Sequence, residues 1–308
     1  MSASLRILLL AGLAAFGGCR PATPASLTGE LAAREQRLAT NLVSARADSS
    51  RTRVLARWIL PRELGEVSGL ALTGDGRLLA HGDEHGAVFV IDARRGAVLK
   101  RFSIGTSDGD ARADFEGITV AEGRIVMLAS DGRLHEFLEG AAGERVRFNV
   151  HDTRLATECE FEGVAYDATQ GLLLLPCKSV GTPGLRDQLV LYRWRLRGTG
   201  DPGLAPLSIP LSRVIGSNPW KALHPSGITV DPASGNYVLI AAQERALIEI
   251  TPSGDVVRAM PLPGTHGQAE GVALTPEGIL IVADEATNRP ATLTLYRWPL
   301  MAAVRGPP

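Results

Sequence analysis

The sequence predicts an all-β chain folded as a β-propeller of five four-stranded blades. Three observations carry this: a motif that recurs five times, hairpin patterning between the copies, and a spare N-terminal strand that completes the last copy. The copies run Glu66 to Leu72, Asp114 to Val120, Glu160 to Tyr166, His224 to Val230 and Gln268 to Leu274. Each carries one glycine before an apolar strand. These glycines, Gly69, Gly117, Gly163, Gly227 and Gly271, are spaced 48, 46, 64 and 44 residues apart. A four-stranded blade takes about 40–50 residues. Only the third interval is long, and it holds the Gly/Pro-rich stretch from Gly198 to Pro206. A six-bladed ring would need a degenerate blade there.

Between the glycines, short aliphatic runs alternate with Asp, Gly and Pro clusters, the pattern of successive hairpins. The first unit reads Leu70–Leu72, Leu78–His81, Ala87–Ile91 and Val98–Ile104. The fifth stops after three strands, ending at Thr292–Trp298. Val54 to Leu60 supplies the missing strand, and its pairing with 292–298 closes the ring and protects two edges. The propeller is thus expected over residues 54–300, with 301–308 a tail.

The first 19 residues form a separate unit: Arg6, the apolar run Ile7 to Phe16, then Gly17, Gly18 and Cys19. A positive start, a short apolar core and small residues describe an export signal. A cysteine directly after them resembles the bacterial lipobox, in which that cysteine is lipidated. An ordinary export signal with a chance cysteine is the alternative. Residues 20–53 read as a tether, either a spacer or a weak helix with a stripe of Leu31, Leu38 and Leu42. The implied location is the periplasmic face of a bacterial membrane, with the inner or outer membrane unresolved. Export favours disulfides. Cys159 and Cys177 flank the hairpin around Asp167 to Gly171, nearly opposite each other on adjacent strands, so a bond between them is expected; two buried free thiols are the alternative.

The formal net charge of −1 gives no basic field for nucleic acid. Charge gathers locally instead. In a propeller the first strand of each blade lines the axis, so its start lies at one mouth of the channel. The residues before the repeat glycines are Ser68, Glu116, Glu162, Ser226 and Glu270; two residues earlier stand Glu66, Asp114, Glu160, His224 and Gln268. Second strands return to the same mouth and end in pairs that include Glu84, Lys178, Glu244 and Asp284. Crowded carboxylates raise each other's pKa or demand a cation. Oxygen donors without a Cys/His cluster suit Ca²⁺ or Mg²⁺ better than Zn²⁺. Glu66, Glu84, Asp114, Glu116, Glu162, Glu270 and Asp284 are the expected calcium ligands, and Lys178, His224, Ser226 and Glu244 the candidate ligand contacts. Solvated strand-end acids are the structural alternative.

The ordered motifs Glu66-Val-Ser-Gly-Leu, Asp83-Glu84, Asp114-Phe-Glu-Gly-Ile, Glu162-Gly-Val-Ala-Tyr-Asp167, Pro225-Ser-Gly-Ile and Ala269-Glu-Gly-Val resemble the SdiA-regulated (YjiK/CarP-like) family of bacterial β-propellers. That resemblance implies an exported, membrane-associated propeller connected with calcium. Ser130-Asp131 and Cys177-Lys178 depart from the acidic pairs expected there. Two functions stand: a calcium-binding periplasmic propeller that binds a small molecule or protein partner, or a calcium-dependent phytase-like or esterase-like hydrolase. Whether the chain is an enzyme stays open at this point.

Overall fold

Two kinds of strand can be told apart by residue pattern, and they take different places. Runs such as Leu172–Leu175, Tyr237–Ala241 and Ile279–Ala283 are apolar without alternation. They are buried on both faces, because the sheet they belong to is sandwiched between two others. Strands such as Ala97–Thr106, Phe148–Asp152 and Val256–Pro261 are largely half-buried or exposed and lie on the outer side of their blades. A computed structural model describes residues 24–47, 53–196 and 204–299 and shows five small antiparallel sheets arranged as a five-bladed propeller.

Blade 1 contains Val67–Leu72, Leu78–Gly82, Ala87–Asp92 and Ala97–Thr106. Blade 2 contains Phe115–Ala121, Arg124–Ala129, Arg133–Phe137 and Phe148–Asp152. Blade 3 contains Ala165–Asp167, Leu172–Val180, Gln188–Trp194 and Leu204–Pro210, with Cys159–Phe161 added against its long second strand. Blade 4 contains Gly227–Val230, Tyr237–Ala241, Ala246–Ile250 and Val256–Pro261. Blade 5 takes Ala269–Leu274, Ile279–Asp284 and Thr292–Arg297, and its outer strand is Val54–Ile59. Trp58 pairs with Leu293 and Ile59 with Thr292, so the ring closes through the N-terminal strand as the sequence predicts. Among its described residues the long third interval holds no sixth blade. Its extra residues go into the extended second strand, the 3₁₀ turn Pro183–Leu185 and the short helix Leu211–Ile215.

Each interface between consecutive blades holds its own apolar cluster. Leu79, Val88 and Phe102 of blade 1 meet Phe115, Ile118 and Phe137 of blade 2. Blades 4 and 5 meet through Val238, Ile240, Val272 and Leu280. At the axis, the first strands approach more closely than side chains allow. A Cβ on Gly117 would lie 2.6 Å from the Val164 nitrogen and 2.8 Å from the Gly163 Cα. One on Gly163, whose φ is +85°, would lie 3.1 Å from the Gly227 Cα. Gly69 faces the Gly117 Cα, and Gly271 faces the backbone of Gly69, so the repeat glycines bring successive blades together.

Within the stretch expected to be a tether, Pro24–Ala47 is a helix docked on the propeller. Its Leu38, Leu42 and Ala45 join the core cluster of blades 5 and 1. Leu38 and Leu42 belong to the stripe read from the sequence, whereas Leu31 remains partly exposed. Asn41 donates to the Leu55 carbonyl at 2.8 Å, and Arg46 to the Glu277 carbonyl at 3.1 Å. Cys19 lies outside the described residues.

Cys159 and Cys177 form a disulfide with a Cα–Cα separation of 5.5 Å. No free thiol is therefore expected from this pair when the unfolded, unreduced protein is titrated. Reduction should lower stability by about 3 kcal/mol, the loop-closure value for a loop of this length. The glycine contacts give a second test. Gly117→Ala should cost about 1–3 kcal/mol through backbone overlap. Gly74→Ala, at a turn where the new Cβ meets nothing within 4 Å, should be close to neutral in urea unfolding.

Candidate functional site

The residue before each axial glycine reaches the mouth for a local reason. In blades 1, 2 and 5 the pairing of first and second strands slips between Val67 and Gly69, between Phe115 and Gly117, and between Ala269 and Gly271. Ser68, Glu116 and Glu270 are the extra residues at these irregularities. A bulge of this kind re-aims its side chain and loosens it from the ladder. Around the axis stand Ser68, Glu116, Glu162, Ser226 and Glu270, buried or half-buried. Above them Glu66, Asp114, Glu160 and Gln268 are exposed, with His224 partly so.

The inner positions are knit across blades. Ser68 Oγ donates to Glu116 Oε2 at 3.0 Å. The Gly163 amide donates to the Glu116 carbonyl at 2.6 Å, and Ser226 Oγ to the Ala269 carbonyl at 2.6 Å. Lys178 Nζ donates to Glu162 and lies 4.0 Å from Glu160 Oε1. Burial, followed by the charges of Glu162 and Asp114, pushes the Glu116 carboxyl up to about 8. Burial and the charge of Glu162 push Glu270 up to about 8 as well. Burial also raises Glu162, against the opposing pull of Lys178. Burial works against the Lys178 ammonium, but its bond to Glu162 wins and raises its pKa.

The remaining candidate residues divide. Glu244 is turned to His224, whose Nδ1 lies 2.7 Å from Glu244 Oε1. Asp284 is buried in a different network: it accepts from the Gly267 amide at 3.0 Å and lies 2.7 Å from His266 Nδ1, while His266 Nε2 meets the Tyr296 hydroxyl at 2.8 Å. Both oxygens of Asp284 are thus engaged in holding the loop into blade 5. Glu84 is exposed beside His85 at 3.7 Å. Their chain neighbours are the ones that couple to the mouth. Glu285 is raised by burial and by the charges of Asp83 and Glu66.

His81 is a site residue that the motifs do not reveal. It is fully buried, and Nδ1 lies 2.8 Å from the Gly82 carbonyl. Nε2 has no hydrogen-bond partner and sits over Gly69, where a side chain would otherwise stand. Burial lowers its pKa to about 4, so the imidazole is neutral at pH 7. With Nδ1–H donating to Gly82, Nε2 is a bare acceptor at the level of the glycines. Its signal in the sequence is its place opposite the first repeat glycine, one turn of the hairpin away.

Beyond the glycines the channel changes character. Leu70–Leu72, Ile118–Val120, Val164–Tyr166 and Ile228–Val230 line a cavity of about 190 Å³ toward the opposite face. The donors at the acidic mouth are carboxylate and hydroxyl oxygens, the chemistry that suits a hard divalent cation. Among the described residues no three acidic, His or Cys side chains are gathered closely enough to hold a metal as they stand. An ion seated on Glu162 Oε1 would compete with Lys178 for that oxygen.

Without metal, the mouth should make stability pH-dependent. Unfolded, Glu116 and Glu270 ionise near the ordinary 4.5; folded, they hold their protons to about 8. The folded state therefore binds more protons between these values, and stability falls as pH rises through that window and levels off above it. The loss should be on the order of 2 kcal/mol per group, allowing for partial exposure. Urea unfolding in chelator at pH 5, 6.5 and 8 should show this fall, and Glu116→Gln should make it shallower and stabilise the protein at pH 8. A profile that stays flat in the parent chain contradicts the crowding.

The fold is similar to that of Myxococcus xanthus glutaminyl cyclase, at 13% identity and a TM-score of 0.54 over 81% of this chain and 99% of that one. It is also similar to the PQQ-bound aldose sugar dehydrogenase of Streptomyces coelicolor, at 15% identity and a TM-score of 0.53 over 80% of this chain and 97% of that one. At such identities the likeness is of fold alone. No curated protein matches the chain. The SdiA-regulated family model matches residues 216–298, the stretch carrying blade 4 and the first three strands of blade 5, in agreement with the family resemblance of the repeated motifs.

Proposed function

We propose that this chain is a lipid-anchored periplasmic propeller that binds calcium at its acidic mouth and offers that mouth to a small-molecule or protein partner. The observation that carries the reading is the convergence of Glu116, Glu162 and Glu270 from three blades on one half-buried ring, where two of the carboxyls are held up to about 8. Like charges in such a place repel, and a divalent ion relieves that repulsion only in the folded state. Glu66 and Asp114 supply further oxygens above the ring, and Ser68 and Ser226 hydroxyls lie within it. Anchoring rests on the signal and Cys19 read from the sequence. Among the described residues no helix is long and apolar enough to cross a membrane.

Lys178 has a specific part in this reading. Its ammonium already neutralises Glu162, so it competes with any incoming cation. Its commitment to that carboxylate also leaves it poorly placed to bind a phosphoryl group, which favours binding over the hydrolase alternative.

A thermal melt in chelator and then in millimolar calcium tests the proposal. Calcium should stabilise by about 2.7 kcal/mol when its free concentration is a hundred times the dissociation constant. Glu162→Gln should weaken that effect. Lys178→Met should destabilise the metal-free protein, by leaving Glu162 buried and unpaired, yet tighten calcium binding by roughly tenfold or more. An unchanged midpoint, with no calcium heat by calorimetry, returns the ring to the role of solvated strand ends.

A further inference from the structure

The loop from Pro61 to Glu66 carries the chain from the closing strand into blade 1. It is pinned at two points. Leu64 is buried in the apolar cluster of blades 5 and 1, and the Gly65 carbonyl accepts from the Ala286 amide at 2.7 Å. Held there, the loop walls a cleft of about 430 Å³ against the mouth end of blade 1. Arg62, Glu66, Asp83, Glu84 and Arg101 line this cleft, with Phe89 in its wall. The volume is in the range of pockets that hold small ligands. The cleft adjoins the acidic mouth, because the charges of Glu66 and Asp83 are felt by Glu285.

Charges of both signs share this cleft without neutralising each other. Arg101 is exposed, and its guanidinium carbon lies 5.6 Å from the centre of the Phe89 ring. Stacking on an aromatic face holds a guanidinium in place and leaves its N–H edge open to a planar carboxylate. Asp110, the acid that feels the charge of Arg101, is already taken by Arg145 at 2.6 Å and by Ser103 at 2.9 Å. Among the described residues, neither Arg62 nor Arg101 forms an ion pair with a carboxylate of the cleft. Glu84 has only His85 beside it, at 3.7 Å. The strand register sets the spacing. Arg101 pairs with Phe89, and His81 with Val88. Asp83 therefore stands three residues nearer the mouth than Arg101 and two strands away. That puts their Cα atoms about 14 Å apart. Once the two side chains have reached inward, the gap suits a chain of two residues, about 7 Å when extended.

We propose that this cleft binds a short zwitterionic peptide, its carboxylate on Arg101 and Arg62 and its ammonium on Asp83 and Glu66. This names the small-molecule partner left open above, and it rests on that reading only in seating the ligand beside the mouth; calcium has no part in it. A guanidinium takes a carboxylate through two parallel hydrogen bonds, and a carboxylate takes an ammonium through charge-assisted ones. A ligand with one charge would satisfy one end of the cleft and meet repulsion at the other. A ligand with both, at the right spacing, satisfies each.

The test is calorimetric titration of the full chain, in chelator, with the dipeptide alanylalanine, its N-acetyl form and its C-terminal amide. The free dipeptide should bind saturably, and each blocked form about tenfold or more weakly, the cost of leaving a charged partner unmatched. Arg101→Gln should erase the preference over the amide, and Asp83→Asn the preference over the N-acetyl form. Arg101 is exposed, so Arg101→Gln should keep the parent's melting midpoint. Arg145→Gln, outside the cleft, should leave both preferences intact. No saturable binding, or blocked forms that bind as well as the free dipeptide, overturns the proposal. So does tighter binding of the N-acetyl form, which would mark a site for anions alone. A parallel calcium titration keeps the two readings apart. Calcium heat without peptide binding overturns the peptide and leaves the metal reading standing; peptide binding without calcium heat does the reverse.

Discussion

Close packing at the axis is the constraint on which the rest of this structure depends. Five first strands converge until their backbones touch, and only glycine fits where they meet. Once Gly69, Gly117, Gly163, Gly227 and Gly271 are seated, the direction of every first strand is set. The residue just before each glycine then stands at one mouth, and the apolar residues just after it line the other half of the channel. The interblade clusters of Val, Leu, Ile and Phe supply the favourable burial.

The same convergence makes the mouth electrostatically costly. A single glutamate at a strand end would remain solvated, but three brought to one ring lose water and face each other. The protein answers with several devices at once: Ser68 donates to Glu116, Lys178 pairs with Glu162, and protons remain on Glu116 and Glu270. The disulfide braces this arrangement. Cys159 directly precedes Glu160, and Cys177 directly precedes Lys178, so the bond fixes the segment bearing the carboxylates against the strand bearing their cation.

The blades were legible because repetition is independent of fine geometry: glycine spacing and the orphan strand Val54–Ile59 sufficed for number and closure. The inner ring was legible for the same reason, since Glu116, Glu162 and Glu270 occupy equivalent positions. Strand-end pairs were harder. Asp284 and Glu84 were favoured over Glu285 and Asp83, yet bulges beside the glycines shift the facing of residues there, and Asp284 is claimed by His266 and Gly267. The docking of Pro24–Ala47 was not legible, because its Leu38, Leu42 and Ala45 acquire a partner surface only after blades 1 and 5 have met. His81 escaped notice because its isolation follows from what surrounds it.

Closure through the first strand has a consequence for the order of events in folding. Val54 and Tyr296 are paired neighbours that stand at opposite ends of the ring's chain. The four main strands of each of blades 1 to 4 come from contiguous chain and can form as they appear, whereas blade 5 cannot be completed until residue 297 is free to meet the N-terminal strand. The helix on the far face inherits the same delay, since it grips both sides of that seam. A chain delivered from its N-terminus therefore carries its lock in front and its keyhole behind. The long-range step comes last, and it engages only when the whole ring is available.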